Sequence, residues 1–183
     1  MKTYNTIVLV TTPSANYSYK NKGSIYPFTS ILYIGTILKQ NGYNVKIIDD
    51  WYDKDYIDHL KNFVTNNRDR IIYIGFSVMT VCVPSSLLAS TEIKEISNEL
   101  PIVWGGAHPT LFPEQTLKND AIDIVVINEG LSAAIDIAEH LQKNEDLSNV
   151  LGIGYKDILN NIKITSPAPL DSIKDLVINK EFK

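Results

Sequence analysis

The sequence predicts a doubly wound α/β domain built on a five-stranded parallel sheet, and three observations predict it. A β-branched apolar run without polar alternation at 6–11, as expected of a strand buried on both faces, is followed by further short apolar runs at 45–49, 71–76, 101–104 and 122–127. Amphipathic stretches of helical period separate these runs. The segment Val103-Trp-Gly-Gly-Ala-His-Pro-Thr110 sets paired glycines, a histidine and a proline where the fourth run ends. Bare backbone at the carboxyl end of a strand lets a ligand come close, and open α/β sheets bind ligands at that edge.

Each element has its own signal. Thr6-Ile-Val-Leu-Val-Thr11 is the first strand, and residues 12–25 form a long polar loop rich in Tyr, Ser, Asn and Lys. Pro27 precedes a helix with Ile31, Leu32, Ile34, Gly35 and Leu38 near one face, stopped by Asn41-Gly42. The second strand, 45–49, leads to a weaker helix within 50–66, where Tyr56, Ile57, Leu60, Phe63 and Val64 share a face. The third strand, 71–76, is followed by Ser77-Val-Met-Thr80, and Pro84-Ser85 opens a helix to about Asn98. After the fourth strand comes a short helix over 110–118, then the fifth strand and a helix over 131–143. Residues 151–155 and 161–165 bracket an Asn-rich turn and form a small hairpin, and from Ser166 onward Pro167 and Pro169 mark a tail or linker. Five βα units favour the flavodoxin-like (Rossmann-like) strand order 2-1-3-4-5 with right-handed crossovers. The expected division is an α/β domain over 1–148 and a hairpin with linker over 149–183.

Composition narrows the function. The chain has 183 residues with a net charge of −4, so a nucleic-acid footprint is not expected. No apolar run is long enough to span a membrane, and the amino terminus lacks a signal-peptide pattern, so the expected location is the cytoplasm. Cys82 is the only cysteine, which excludes an internal disulfide or a several-cysteine metal centre within this chain.

Four loops meet at the carboxyl edge: 11–26, 77–84, 105–110 and 128–132. They gather hydroxyls, glycines, His108 and Glu129. Each has a plain structural reading beside the functional one. His108 precedes Pro109 and can be a bonded turn residue, and Gly105-Gly106 can be only a tight turn. Ser77 and Thr80 can cap a helix, and Glu129 can complement a helix dipole. Cys82 reads as a small apolar filler, while His59 and His140 sit among polar helix residues. Tyr17, Tyr19 and Tyr26 crowd the first loop and either cover a flat ligand or pack the loop down. No Gly-x-Gly-x-x-Gly, Gly-Lys-Ser/Thr or Gly-x-Ser-x-Gly motif occupies the expected turns, and no His-x-x-x-His pair is present.

In order and spacing, four segments resemble the cobalamin-binding domain at the amino terminus of cobalamin-dependent radical SAM enzymes. They are residues 25–49, Ile74-Gly-Phe-Ser-Val-Met-Thr80, Val103-Trp-Gly-Gly-Ala-His-Pro-Thr-Leu-Phe-Pro-Glu114 and Asp123-Ile-Val-Val-Ile-Asn-Glu-Gly130. The general pattern pairs Ser-x-Leu with a later Gly-Gly; Ser77-Val78-Met79 and Gly105-Gly106 match it, with Met in place of Leu. Only small residues there leave room for the nucleotide tail of the cofactor. Three departures stand out. Residues 11–20 carry no Asp-x-His-x-x-Gly, whose His serves as lower axial ligand elsewhere. Asn128-Glu-Gly-Leu-Ser132 stands where relatives read Gly-Glu-Gly-Glu. The Cys-x-x-x-Cys-x-x-Cys that holds an iron–sulfur cluster is missing.

The resemblance implies a cobalamin-binding module of a radical SAM enzyme, a methyltransferase or an enzyme of related radical chemistry. The chain itself is expected to be a non-catalytic N-terminal piece. Its expected cofactor contacts are Thr12, Pro13, Ser77, Val78, Met79, Thr80, Gly105, Gly106, His108, Pro109, Glu129 and Gly130. S-adenosylmethionine and a 4Fe-4S cluster would belong to a barrel domain of the full-length chain. Two alternatives stay open. One is a module of the same fold for a flavin or nucleotide, or with no cofactor, which the Ser/Thr-rich first loop partly suits. The other is a hydrolase or transferase using Cys82 with His108.

Overall fold

The computed structural model describes residues 4–14, 29–50 and 53–169. The expected covering loop beyond residue 14, with Tyr17, Tyr19, Tyr26 and Pro27, lies outside them, as does the tail from 170. The first five strands are β1 (Thr6–Thr11), β2 (Asn44–Asp49), β3 (Ile71–Ser77), β4 (Ile102–Gly105) and β5 (Ile124–Val126). They pair in parallel in the order β2-β1-β3-β4-β5. The sheet has seven strands rather than the expected five. The hairpin strands β6 (Ile153–Lys156) and β7 (Ile162–Ile164) continue the same sheet, each antiparallel to its predecessor. A two-stranded hairpin is marginal alone, and β5 has an open row of backbone groups; pairing them satisfies both.

Two helical layers bury the sheet. Helices α1 (Thr29–Gln40) and α6 (Leu131–Lys143) cover one face, packing Ile31, Leu38, Ala134 and Ile137 on Ile7, Leu9, Val103 and Val126. Helices α2 (Tyr56–Asn67) and α3 (Val83–Ile96) cover the other, with Leu60, Val64, Ala89 and Ile93 on Val8, Val10, Ile74 and Trp104. The strands alternate sides with period two, as a sheet covered on both faces requires. A bulge near Ile7 breaks this in β3, so Ile72 and Tyr73 both face the α1–α6 layer.

The ends of the helices follow their residues. Asn41-Gly42 stops α1 as expected: Gly42 has φ +87, and Gly42 and Tyr43 donate their N–H groups to Lys39 and Leu38. Asn144 closes α6 in the same left-handed conformation. The helix expected over 110–118 is two short helices, α4 (Ala107–Leu111) and α5 (Pro113–Leu117). Pro113 disfavours helical geometry at Phe112, whose φ is −134, and then suits the first position of α5.

The amino edge of the sheet is closed by charge and backbone. Lys94 donates to Asn98 and Leu100 carbonyls and pairs with Asp123 at 2.7 Å, while Asp123 also accepts the N–H of Ile102. Among the described residues, no helix is long and apolar enough to cross a membrane.

Candidate functional site

The opposite edge is open. On the α1–α6 side, the carboxyl ends of β1, β3, β4 and β5 border a groove of about 270 Å³. Its floor is Leu9, Gly75, Val103, Gly105 and Val126; its walls are Ile31 and Ile34 of α1 and Leu131 and Ala134 of α6. Tyr73 lies further down β3, and its hydroxyl donates to the Ala134 carbonyl at 3.1 Å. Ser30, Ser77, Gly106, Asn128, Glu129 and Gly130 stand at the rim.

Missing side chains make the groove. At Gly105 a Cβ would make only ordinary contacts, with Val126 at 3.7 Å and the Phe76 carbonyl at 4.0 Å, and at Gly130 it would meet Ile34 at 3.4 Å, so larger residues there would project into the space. Gly75 is tighter: a Cβ would stand 3.1 Å from Leu9 Cδ2 and 3.3 Å from Tyr73 Cε2. Gly106 answers a different demand. Its φ is +100, and a Cβ would lie 3.0 Å from the backbone N and O of Val78. That close approach lets Val78 donate to Gly105 O at 2.8 Å and lets His108 donate to Val78 O at 3.0 Å. The two bonds join the loops after β3 and β4.

The expected contacts divide. Ser77, Gly105, Gly106, Glu129 and Gly130 gather around the groove. Val78 is fully buried between the two loops, whereas Met79 and Thr80 are exposed beside it. Thr12 turns to the other face, where its hydroxyl meets Ser86 of α3 at 2.6 Å, with half-buried Pro13 next in the chain. His108 and Pro109 are buried in α4 and do not line the groove. His108 Nδ1 lies 3.3 Å from the Thr80 hydroxyl, and its ring packs against Phe112. Burial lowers the His108 pKa, holding the imidazole neutral.

Residues that the sequence did not single out complete the groove: Ser30, Tyr33, Tyr73, Gly75, Asn128, Leu131 and Ala134. Gly75 did carry a signal, a glycine inside an otherwise β-branched strand. Asn128 takes φ +66 and donates its N–H to Thr110, which turns the chain out of β5 toward the rim. The Ser30 hydroxyl crosses from α1 to within 3.4 Å of Ser77 Oγ.

At the end of β1, the Thr11 hydroxyl lies between Asp49 Oδ1 at 2.7 Å and Asp50 Oδ1 at 3.0 Å. Cys82 is buried nearby, and desolvation raises its thiol pKa, the reverse of nucleophile activation. His108 Nδ1 meets Thr80 rather than this thiol. Among the described residues, no cluster of three metal-ligating side chains occurs. The open edge therefore offers an apolar slot with a hydroxyl-bearing rim, suited to holding a ligand.

The B12 binding domain family matches residues 22–138. An uncharacterized methyltransferase of Pyrococcus horikoshii is 26% identical over 171 residues, covering 93% of this chain and 36% of that protein. The cytidylyl-2-hydroxyethylphosphonate methyltransferase of Streptomyces wedmorensis is 26% identical over 182 residues, covering 90% of this chain and 34% of that protein. The chain thus spans about a third of these curated relatives. Among solved structures, the radical S-adenosylmethionine methyltransferase TsrM from Kitasatospora setae, with cobalamin and a 4Fe-4S cluster bound, superposes with a TM-score of 0.74. It is 17% identical and covers 92% of this chain and 30% of that one. The cobalamin-dependent S-adenosylmethionine radical enzyme OxsB, with aqua-cobalamin bound, gives 0.73 at 22% identity, covering 94% of this chain and 23% of that one. At these identities the two structures share the fold.

Proposed function

The chain belongs to the B12-binding domain family, and from that premise we propose that it is the cobalamin-holding module of a longer radical SAM enzyme, one that transfers methyl groups or performs related radical chemistry. The observation that carries this reading is the glycine-floored groove at the carboxyl edge. Its volume, about 270 Å³, lies just below the range of about 300–1,000 Å³ common for small-molecule pockets. A slot of that size suits a nucleotide tail, and the far larger corrin would rest outside, over the strand ends.

Bound cobalamin supplies a cobalt centre able to exchange a methyl group. The residues of this chain bind and orient. Gly105 and Gly130 leave the slot open, and Gly106 lets the two loops approach. The Ser30 and Ser77 hydroxyls and the Glu129 region offer polar contacts at the rim. Met79 and Thr80, exposed at the same edge, would face the corrin, with buried Val78 joining the two loops beneath them; Thr12, Pro13, His108 and Pro109 support the edge from behind. His108 is buried in α4 outside the groove lining, with Nδ1 3.3 Å from the Thr80 hydroxyl, which supports a positioning role over cobalt ligation. Cys82 alone cannot hold an iron–sulfur cluster, so that group and S-adenosylmethionine are assigned to the rest of the longer protein. After β7 the chain returns to the carboxyl edge, where Ser166 accepts the N–H of Gly152. The proposed division is an α/β domain over 1–148 and a hairpin with linker over 149–183, the hairpin extending the domain's sheet and the linker leading toward a barrel domain of the longer chain.

Titration with hydroxocobalamin, followed by visible absorbance and calorimetry, tests the proposal. Saturable binding with a spectral change is expected. Saturable binding of flavin mononucleotide instead, or no corrinoid binding at high micromolar concentration, would overturn it.

A further inference from the structure

The interior of the groove is hydrocarbon. Leu9, Ile34, Val103, Val126 and Leu131 surround it. Tyr73 is 2% exposed, and its hydroxyl already donates to the Ala134 carbonyl. Gly75 is paired with Leu9 on one side and Val103 on the other within the parallel ladder. The other polar side chains lining the groove are Ser30 and Tyr33 in the first turns of α1, Ser77 at the end of β3, and Asn128 and Glu129 in the loop before α6. Among the described residues, a flat ring seated between the floor residues Leu9, Val103 and Val126 and the wall residues Ile34 and Leu131 therefore meets carbon.

Resting on the reading that the groove takes the nucleotide tail, we propose that it selects corrinoids by their lower base, favouring dimethylbenzimidazole over a purine. The far edge of dimethylbenzimidazole is a methylated carbocycle, which loses nothing on leaving water. Adenine carries ring nitrogens and an exocyclic amine whose water partners would be stripped and not replaced. Depth adds to the choice. Gly75 and Tyr73 both line the groove, so its depth extends down β3 to the tyrosine, where polar edges are costliest to bury. At the wall, Ile34 reaches from α1 to contact distance of the Gly130 position, placing its hydrocarbon tip across the slot.

The test compares three corrinoids on the 183-residue chain: cobalamin, its analogue with adenine as lower base, and cobinamide, which has no nucleotide. Cobalamin should bind tightest, with the adenine analogue weaker by about tenfold or more, the penalty of one or two unpaired buried polar groups. Cobinamide should lose affinity as well, because the groove stays empty. Equal affinities for cobalamin and the adenine analogue would overturn the selectivity while leaving corrinoid binding intact. Failure of all three to bind would instead remove the reading beneath it. A variant tests the wall itself. Ile34→Gln brings an amide to the wall and should narrow the ratio between the two bases, a ratio taken within one protein preparation. An unchanged ratio in that variant would also overturn the proposal.

Discussion

Gly105 and Gly106 are neighbours with opposite jobs. Gly106→Ala forces a side chain onto φ +100 and to within 3.0 Å of the Val78 backbone. The expected loss is about 1–3 kcal/mol of stability, read from the denaturant midpoint. Gly105→Leu places its Cβ at ordinary contact distance from Val126 and the Phe76 carbonyl and sends the rest of the side chain into the groove. Its stability should stay within about 1 kcal/mol of the parent, while hydroxocobalamin binding disappears. The reverse pattern, a stable Gly106 variant or a Gly105 variant that still binds, contradicts these roles. His108 yields a pH prediction. Its folded pKa is lowered by burial, so below about pH 6.5 the unfolded chain takes up a proton that the folded chain resists. Its effect on stability is therefore absent above that pH and grows more unfavourable as pH falls toward the folded pKa. His59 behaves in the opposite sense, since the bond to Asp53 raises its pKa. That contribution is present below about pH 6.5 and is lost as pH rises through the folded value. Histidine-resolved NMR titration should place His108 on the acid side of His59; a higher value for His108 would contradict its burial.

At the scale of elements, α3 and β4 are clamped by one buried bond. Trp104 Nε1 donates to Ser90 Oγ at 3.0 Å, and both side chains are within 1% of full burial. Ser90→Ala leaves the indole N–H unpaired, at an expected cost of about 1–3 kcal/mol in chemical denaturation. A neutral substitution would mean that a water replaces the hydroxyl. Neither partner advertised itself in sequence, because a serine on a helix and a tryptophan in a strand gain meaning only when the register sets them opposite. The elements themselves were far more legible. β1 and α6 fall within the expected bounds because their apolar periods are unbroken and Asn144 and Gly42 end helices by local conformation. The split at Phe112 was readable from Pro113, yet the amphipathic pattern over 110–118 masks it. The two extra strands of the sheet were read as a separate hairpin, since nothing in residues 151–165 specifies which edge they pair with.

For the molecule as a whole, the two edges of the sheet have different work. The amino edge is tied by Lys94 and Asp123 and ends in a hairpin turn where Asp157 accepts the N–H groups of Leu159 and Asn161. The carboxyl edge carries the groove. Hydrogen exchange with and without hydroxocobalamin should therefore slow at the starts of α1 and α6 and at the ends of β3 and β4. Residues 157–161 should exchange at the same rate in both states. Uniform slowing, or slowing at the hairpin alone, would contradict a site at the carboxyl edge.

The sequence by itself determined the layers, the parallel order of the first five strands and the paired glycines at the ligand edge. These follow from local period, local turn chemistry and the right-handed crossover, all of which act over short stretches of chain. Tertiary structure alone decided which expected contacts share a site. Thr12 and Leu9 are three residues apart, yet one reaches Ser86 on the α3 side and the other floors the groove on the α1 side. The sorting of Ser77 from His108, and the recruitment of Ser30, Tyr73 and Ala134, depend on strand register and helix docking. Those are set by long-range packing that no local pattern contains.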